Sequence, residues 1–69
     1  MQKLDGVRIK GHIGKWHEVD RFESKEGTLI LLEHDTFGDE AANLIVKKDL
    51  TLVMEGVWNG FDDYLEAQF

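Results

Sequence analysis

Short apolar runs separated by turn residues predict an antiparallel sheet in the middle of the chain. Residues 29–32 are continuously apolar, which predicts a central strand that is covered on both faces. In residues 40–47 and 50–55, apolar side chains recur at alternate positions, as they do in strands. Because only short turns separate these segments, we expect neighbouring strands to run antiparallel.

The first part of the chain admits two interpretations. Residues 7–10 alternate apolar and basic side chains, which indicates a half-buried strand. Residues 16–23 place apolar side chains at spacings of three, which suits either a bulged strand or a helix. We favour a strand, because a turn and then the strand at 28–34 follow. The sheet has five strands, or four if the first two segments form one bent strand.

Residues 57–69 change period and predict one short C-terminal helix. Asn59 can cap this helix, and Asp62 and Asp63 lie in its first turn, where the helix dipole favours carboxylates. The apolar residues on one face of the helix are Phe61, Tyr64 and Leu65. The predicted fold of residues 1–69 is therefore a single α+β domain, mainly β, with a curved antiparallel sheet of four to five strands.

One short helix leaves the sheet incompletely covered. A helix of about 9 residues is about 14 Å long and covers only one face. Either the sheet curls into a small SH3-like barrel, or a second copy of the chain packs against the other apolar face. We expect the second arrangement, a homodimer or a higher homo-oligomer.

Composition limits how such a domain can be stabilised. The 69 residues include no cysteine, so neither disulfides nor thiolate metal sites contribute. No segment reaches the ~20 apolar residues that cross a bilayer, and the N-terminus lacks the apolar core of a signal peptide. We therefore expect a cytoplasmic protein without a membrane partner.

The net charge of −6 is unevenly distributed along the chain. Residues 1–25 carry six basic and four acidic side chains, a net +2, whereas residues 26–69 carry two basic and ten acidic ones, a net −8. Acidity disfavours a nucleic-acid backbone as the partner and favours a basic protein surface. The acidic residues predicted to bind such a partner are Glu33, Asp35, Asp39, Glu40, Asp62, Asp63 and Glu66.

The loop HDTFGDE, residues 34–40, is the densest group of candidate ligands. Asp35 can accept hydrogen bonds from backbone amides of this turn, and Gly38 can supply a positive φ. Asp35, Asp39 and Glu40 also offer the oxygen ligands that Mg²⁺ prefers, although their spacing does not match a calcium-binding loop. No other cofactor is expected, because the histidines lack zinc spacing and no phosphate-binding loop is present.

A nucleic-acid site is the alternative for the basic N-terminal third. Trp16 can act as a stacking platform for bases, and Arg8, Lys10 and Lys15 can contact phosphates. The tryptophan also suits core packing, because a small sheet needs aromatic bulk. The sequence leaves both uses of Trp16 open.

Two segments, LLEHDTFGDEAANLIV (31–46) and VWNGFDDYL (57–65), resemble short acidic proteins of bacterial phages and conjugative elements. These include small anti-CRISPR proteins that inhibit type II effector nucleases, among them a group with a four-strand-plus-helix fold. That fold is similar to the single-stranded-DNA-binding domain of the transcriptional coactivator positive cofactor four.

The resemblance implies a curved antiparallel sheet, a C-terminal helix that builds an oligomer interface, and action against host immunity. Members with this fold have been linked to DNA nicking, which would need a metal and carboxylates such as Asp35, Asp39 and Glu40. Two functions are therefore expected. The first is a non-enzymatic mobile-element protein that binds a basic surface, such as that of a CRISPR effector nuclease. The second is a sheet-based DNA binder or a Mg²⁺-dependent DNA nickase.

Overall fold

The computed structural model describes residues 3–25, 27–38 and 40–67. Within these residues it contains four strands and one helix: β1 (Trp16–Ser24), β2 (Gly27–His34), β3 (Asn43–Lys47), β4 (Leu52–Gly56) and α1 (Phe61–Ala67). The strands form one antiparallel sheet in the order β1-β2-β3-β4. This architecture confirms the predicted mainly β sheet with one C-terminal helix.

The sheet is open, with β1 and β4 at its edges. The alternative of a closed SH3-like barrel is therefore wrong for the described residues. Residues 16–23 form a strand and not a helix, and the register shifts after Glu18, as expected of a bulge. Residues 7–10 do not form a strand, because Val7 makes only an isolated bridge to Trp16, with backbone hydrogen bonds of 3.0 and 2.8 Å.

Two strands start later than predicted because turns hold the residues before them. The amide of Glu40 donates to the carbonyl of Phe37 at 2.9 Å, so β3 begins at Asn43. Leu50 has a φ of 69°, which lies in the left-handed region and is incompatible with an extended strand. The fourth strand therefore begins at Leu52.

Alternate residues of β2 point to opposite faces of the sheet and enter two separate apolar clusters. Ile30 and Leu32 lie on one face, called the N-terminal face, and Leu31 lies on the other, called the helix face. All three are buried, which confirms that β2 is covered on both sides. The other buried cluster members are Ile9, Trp16, Leu44 and Val46 on the N-terminal face, and Ile45 and Phe61 on the helix face.

The N-terminal face is covered by residues 3–15 of the same chain, which we call the N-terminal segment. Ile9 of this segment is buried in the cluster, and Leu4 and Val7 pack against it. The apolar face therefore does not need a second copy of the chain, so the premise of the predicted homo-oligomer is wrong. The oligomer itself stays a prediction.

The side chain of Glu18 anchors the N-terminal segment to β1 by hydrogen bonding. Its carboxylate accepts a hydrogen bond from the amide of Leu4 at 3.1 Å and two from the guanidinium of Arg21 at 2.8 and 3.0 Å. The hydrogen bonds from Arg21 hold the pKa of Glu18 below its ordinary value, although burial opposes them. This carboxylate therefore stabilises the fold above its unfolded-state pKa, and the contribution is lost as the pH falls through the folded-state pKa.

A hydrogen bond between Phe61 and the carboxylate of Asp20, 41 residues earlier in the chain, anchors the helix to the sheet. Asp20 accepts a hydrogen bond from the amide of Phe61, the first helical residue, at 2.9 Å, and another from the amide of Arg21 at 2.8 Å. Phe61 itself is buried with Leu31 and Ile45 on the helix face. Within the described residues, no helix has the length and apolar character needed to cross a membrane.

The predicted cap, Asn59, is exposed, and Asp20 is the side chain that accepts the first helical amide. We expect Asp20→Ala to lower the free energy of unfolding by about 1 kcal/mol, because that amide loses its partner, and Asn59→Ala to lower it by much less. Urea denaturation followed by circular dichroism measures both values. Equal losses in the two variants would contradict the assignment of Asp20 as the cap.

Candidate functional site

The tip of the β2–β3 hairpin, residues 35–38 and 40–42, is organised by the side chain of His34. The Nδ1 atom of His34 accepts hydrogen bonds from the amides of Thr36 at 3.0 Å and Phe37 at 3.2 Å. Its Nε2 atom lies 3.2 Å from the carbonyl oxygen of Ile13. Because a carbonyl oxygen can only accept, Nε2 carries the proton and Nδ1 does not. This neutral tautomer joins the tip to the N-terminal segment.

The carboxylates next to His34 are arranged differently from the prediction. Gly38 has the predicted positive φ, at 53°. Asp35, however, does not accept the amides of the tip, because His34 does. Asp35 instead pairs with His17 of β1, with 2.6 Å between Nδ1 and Oδ1, and Glu33 lies 3.4 Å from the Nε2 atom of the same imidazole. His17 thus holds these two carboxylates together.

A groove with a volume of about 560 Å³ separates the tip from the residues that precede α1. Glu33 and Gly38 line it on the side of the hairpin, and Trp58 and Gly60 line it on the side of the helix. The hairpin tip and the start of the helix therefore lie at the same end of the sheet. We call the described residues of 33–40 and 57–63 the acidic end.

The acidic end carries five exposed or half-buried carboxylates, on Glu33, Asp35, Glu40, Asp62 and Asp63. No described lysine forms a salt bridge with any of them, and the pairs that involve this set are those with His17. Asp63 also accepts a hydrogen bond from the amide of Asn59 at 3.2 Å. Most of the negative charge at this end is therefore available to a partner.

Three exposed apolar side chains lie among these carboxylates. Val19, 40% exposed, and Val57, 75% exposed, line the groove, and Phe37, 58% exposed, lies on the tip. The residues predicted to bind a partner did not include them. Two sequence features could have indicated them: Phe37 is an aromatic residue inside a polar loop, and Val57 directly follows Gly56, which ends the sheet.

Other predicted ligands are not brought together. Asp39 lies outside the described residues, and Glu66 is exposed on α1 about one turn beyond Asp62. The described residues contain no group of three histidine, cysteine, aspartate or glutamate side chains that could hold a metal ion. Of the predicted magnesium ligands, Asp35 is paired with His17 and Glu40 is exposed on the tip. The metal site stays a prediction without support from these residues.

The residues of the nucleic-acid alternative do not form one surface. Trp16 is only 5% exposed, and its ring packs edge-on against His34 with 4.9 Å between the centroids, so its faces are not available for base stacking. Arg8 and Lys10 are exposed in a separate groove beside the β3–β4 turn. Lys15 lies near the tip, where its carbonyl accepts the amide of Asp35 at 2.9 Å.

The fold defines a small, mainly β domain, an open four-stranded sheet with a helix over one face and an N-terminal segment over the other. The chain belongs to the family described as large polyvalent protein-associated domain 18, whose model matches residues 2–69. Membership of this family associates the chain with phages and other mobile elements. Neither the curated proteins nor the solved structures give a match.

The position of the N-terminal segment against His34 can be tested at two glycines. Gly14 has a φ of 91°, and a Cβ atom there would overlap the imidazole of His34. Gly11 has a similar φ of 84°, but no atom lies within 4 Å of the position that a Cβ would take.

We expect Gly11→Ala to lower the free energy of unfolding by about 1–2 kcal/mol through backbone strain alone. Gly14→Ala carries the same strain and should cost about 1–3 kcal/mol more, because the imidazole must also move. Urea denaturation of the two variants measures the difference. If the two variants lose the same stability, Gly14 does not pack against His34.

Proposed function

We propose that this domain is a non-enzymatic interaction module of a mobile-element protein, and that its acidic end binds a basic surface of a partner protein. The observation that carries the proposal is the composition of this end. Five carboxylates without lysine partners among the described residues lie at this end, and one of them, Glu33, lines a groove together with the exposed side chains of Val19 and Val57. The family supports the mobile-element context only.

The two kinds of side chain have different roles in such an interface. Phe37 and Val57 are large, exposed and apolar, so a partner that covers them removes apolar surface from water. The surrounding carboxylates of Asp35, Glu40 and Asp62 steer a basic partner towards this end and exclude acidic surfaces. This arrangement matches the apolar centre and polar rim of protein interfaces.

The partner that fits best is a nucleic-acid-binding protein, because such proteins carry basic surfaces that accept phosphates. An acidic module would occupy that surface in place of the nucleic acid. A CRISPR effector nuclease, to which the resemblance of residues 31–46 and 57–65 leads, is one candidate of this class. The carboxylates of the acidic end have a binding role in this proposal and no catalytic one.

The experiment compares two variants of equal charge and a third in which apolar side chains are replaced. One variant neutralises the acidic end with Glu33→Gln, Asp35→Asn and Glu40→Gln. The control neutralises three acids elsewhere, with Asp5→Asn, Glu23→Gln and Glu55→Gln. A third, apolar variant carries Phe37→Ser and Val57→Ser.

Partners captured by the unchanged domain from a bacterial host lysate are identified, purified and titrated with each variant by calorimetry at several salt concentrations. We expect the acidic-end and apolar variants to bind about tenfold more weakly or worse, and the control to bind within about twofold of the unchanged domain. Binding that survives neutralisation of the acidic end, or a captured partner without a basic surface, would remove the proposal.

A further inference from the structure

The helix is too short to cover the whole helix face. Its seven residues span about 10 Å, whereas the eight residues of β2 span about 26 Å. Phe61 lies over Leu31 and Ile45 in the middle of the sheet. The next row towards the β3–β4 turn, where Leu29 of β2 pairs with Lys47 of β3, borders an open groove of about 500 Å³.

This groove, which we call the lysine groove, has an apolar and aromatic floor. Leu29, Val53 and Tyr64 all line it. Val53 is 41% exposed, next to the register shift between β3 and β4. The ring of Tyr64 is held edge-on by Trp58, at 5.3 Å and 90°, and by Phe61, at 5.9 Å and 87°. The ring of Tyr64, the aromatic part of this floor, is therefore oriented by its neighbours before any ligand binds.

The rim of the lysine groove is positive. Lys47 and Lys48 are the two basic residues of the acidic part of the chain, 26–69, and both are exposed at this groove. Asp49 lies beside them, but its carboxylate accepts the amide of Thr51 at 3.0 Å and so serves the turn. That hydrogen bonding to Thr51 also lowers the pKa of Asp49, so its carboxylate stays ionised.

The groove and the acidic end lie at opposite ends of the sheet. Ser24 and Gly27, which flank the β1–β2 turn, line the groove together with residues 47–49 of the β3–β4 turn. In an antiparallel sheet these two turns lie at one end, and the β2–β3 tip lies at the other. The two lysines are thus separated from the carboxylates of the acidic end, and Asp49 is the carboxylate that lines the groove beside them.

We propose that the lysine groove binds a small molecule in which a flat apolar ring carries a phosphate. With two ammonium groups and one carboxylate, Asp49, the rim is net positive and attracts a phosphate monoester, whose charge is about −1.5 to −2 at pH 7. The floor of Leu29, Val53 and Tyr64 offers an apolar surface for the ring, with the phosphate at Lys47 and Lys48. The volume lies in the range of small-molecule sites. This inference is independent of the proposed function of the acidic end.

The test uses three probes: 1-naphthyl phosphate, 1-naphthol, which keeps the ring without the charge, and inorganic phosphate, which keeps the charge without the ring. Each is titrated into the ¹⁵N-labelled domain and followed by amide chemical shifts. We expect saturable binding of 1-naphthyl phosphate, with shifts concentrated at Leu29, Lys47, Val53 and Tyr64. The other two probes should bind about tenfold more weakly or worse, because each makes only half of the contacts.

Variants assign the two halves of the site. Lys47→Gln with Lys48→Gln should weaken binding of 1-naphthyl phosphate about tenfold and leave 1-naphthol unchanged, because only the charge-assisted hydrogen bonds are lost. Val53→Ser should weaken both ring-bearing probes. Lys3→Gln is the control. Lys3 precedes Leu4, whose amide is hydrogen-bonded to Glu18 of β1, and this variant should bind both ring-bearing probes as the unchanged domain does.

Three results would overturn the inference. The first is 1-naphthol binding as tightly as 1-naphthyl phosphate. The second is unchanged binding in the double lysine variant. The third is shifts that lie away from the groove or do not saturate. Lys47 and Lys48 are exposed, so we expect the double lysine variant to retain the fold. The amide spectrum of each variant without ligand verifies that it is folded.

Discussion

The structure depends on one constraint: β2 and β3 are apolar on both faces, and a chain of 69 residues must cover both. The helix covers one face, and the N-terminal segment covers the other. Polar side chains of the sheet anchor the helix and the N-terminal segment by hydrogen bonds. Asp20 accepts the first amide of the helix, whereas Glu18 and His34 bind backbone groups of the N-terminal segment. These partly buried hydrogen bonds hold the helix and the N-terminal segment in position on the sheet.

The same constraint separates the charges. The helix lies over the middle of the helix face and leaves the ends of that face open, so the turns at each end determine the charge there. The β2–β3 tip and the start of α1 bring carboxylates to one end, together with Phe37 and Val57. The β3–β4 turn brings Lys47 and Lys48 to the other end, next to an apolar floor. One small fold thus offers two surfaces of opposite charge, and we propose a basic protein as the partner of one and a small anion as the ligand of the other.

Local pattern was sufficient for β2, β3, β4 and the helix, because alternation and a change of period are properties of neighbouring residues, but the same alternation predicted a strand at 7–10 that does not form. It was not sufficient for the cover of the N-terminal face or for the cap at Asp20, because both depend on contacts between distant parts of the chain. At the candidate site, charge alone selected Asp35 and Glu40. The roles of His17 and Val57 followed only from the register and from the loop geometry, which bring separate segments together.

The most direct test of this account is the protonation state of the His34 ring, measured by long-range ¹H–¹⁵N correlation spectra at neutral pH. If His34 joins the tip to the N-terminal segment, Nε2 carries the proton that it donates to Ile13, and Nδ1 is the bare acceptor for Thr36 and Phe37. A proton on Nδ1 would leave both amides without this acceptor. That result would contradict the arrangement on which the covered face and the acidic end depend.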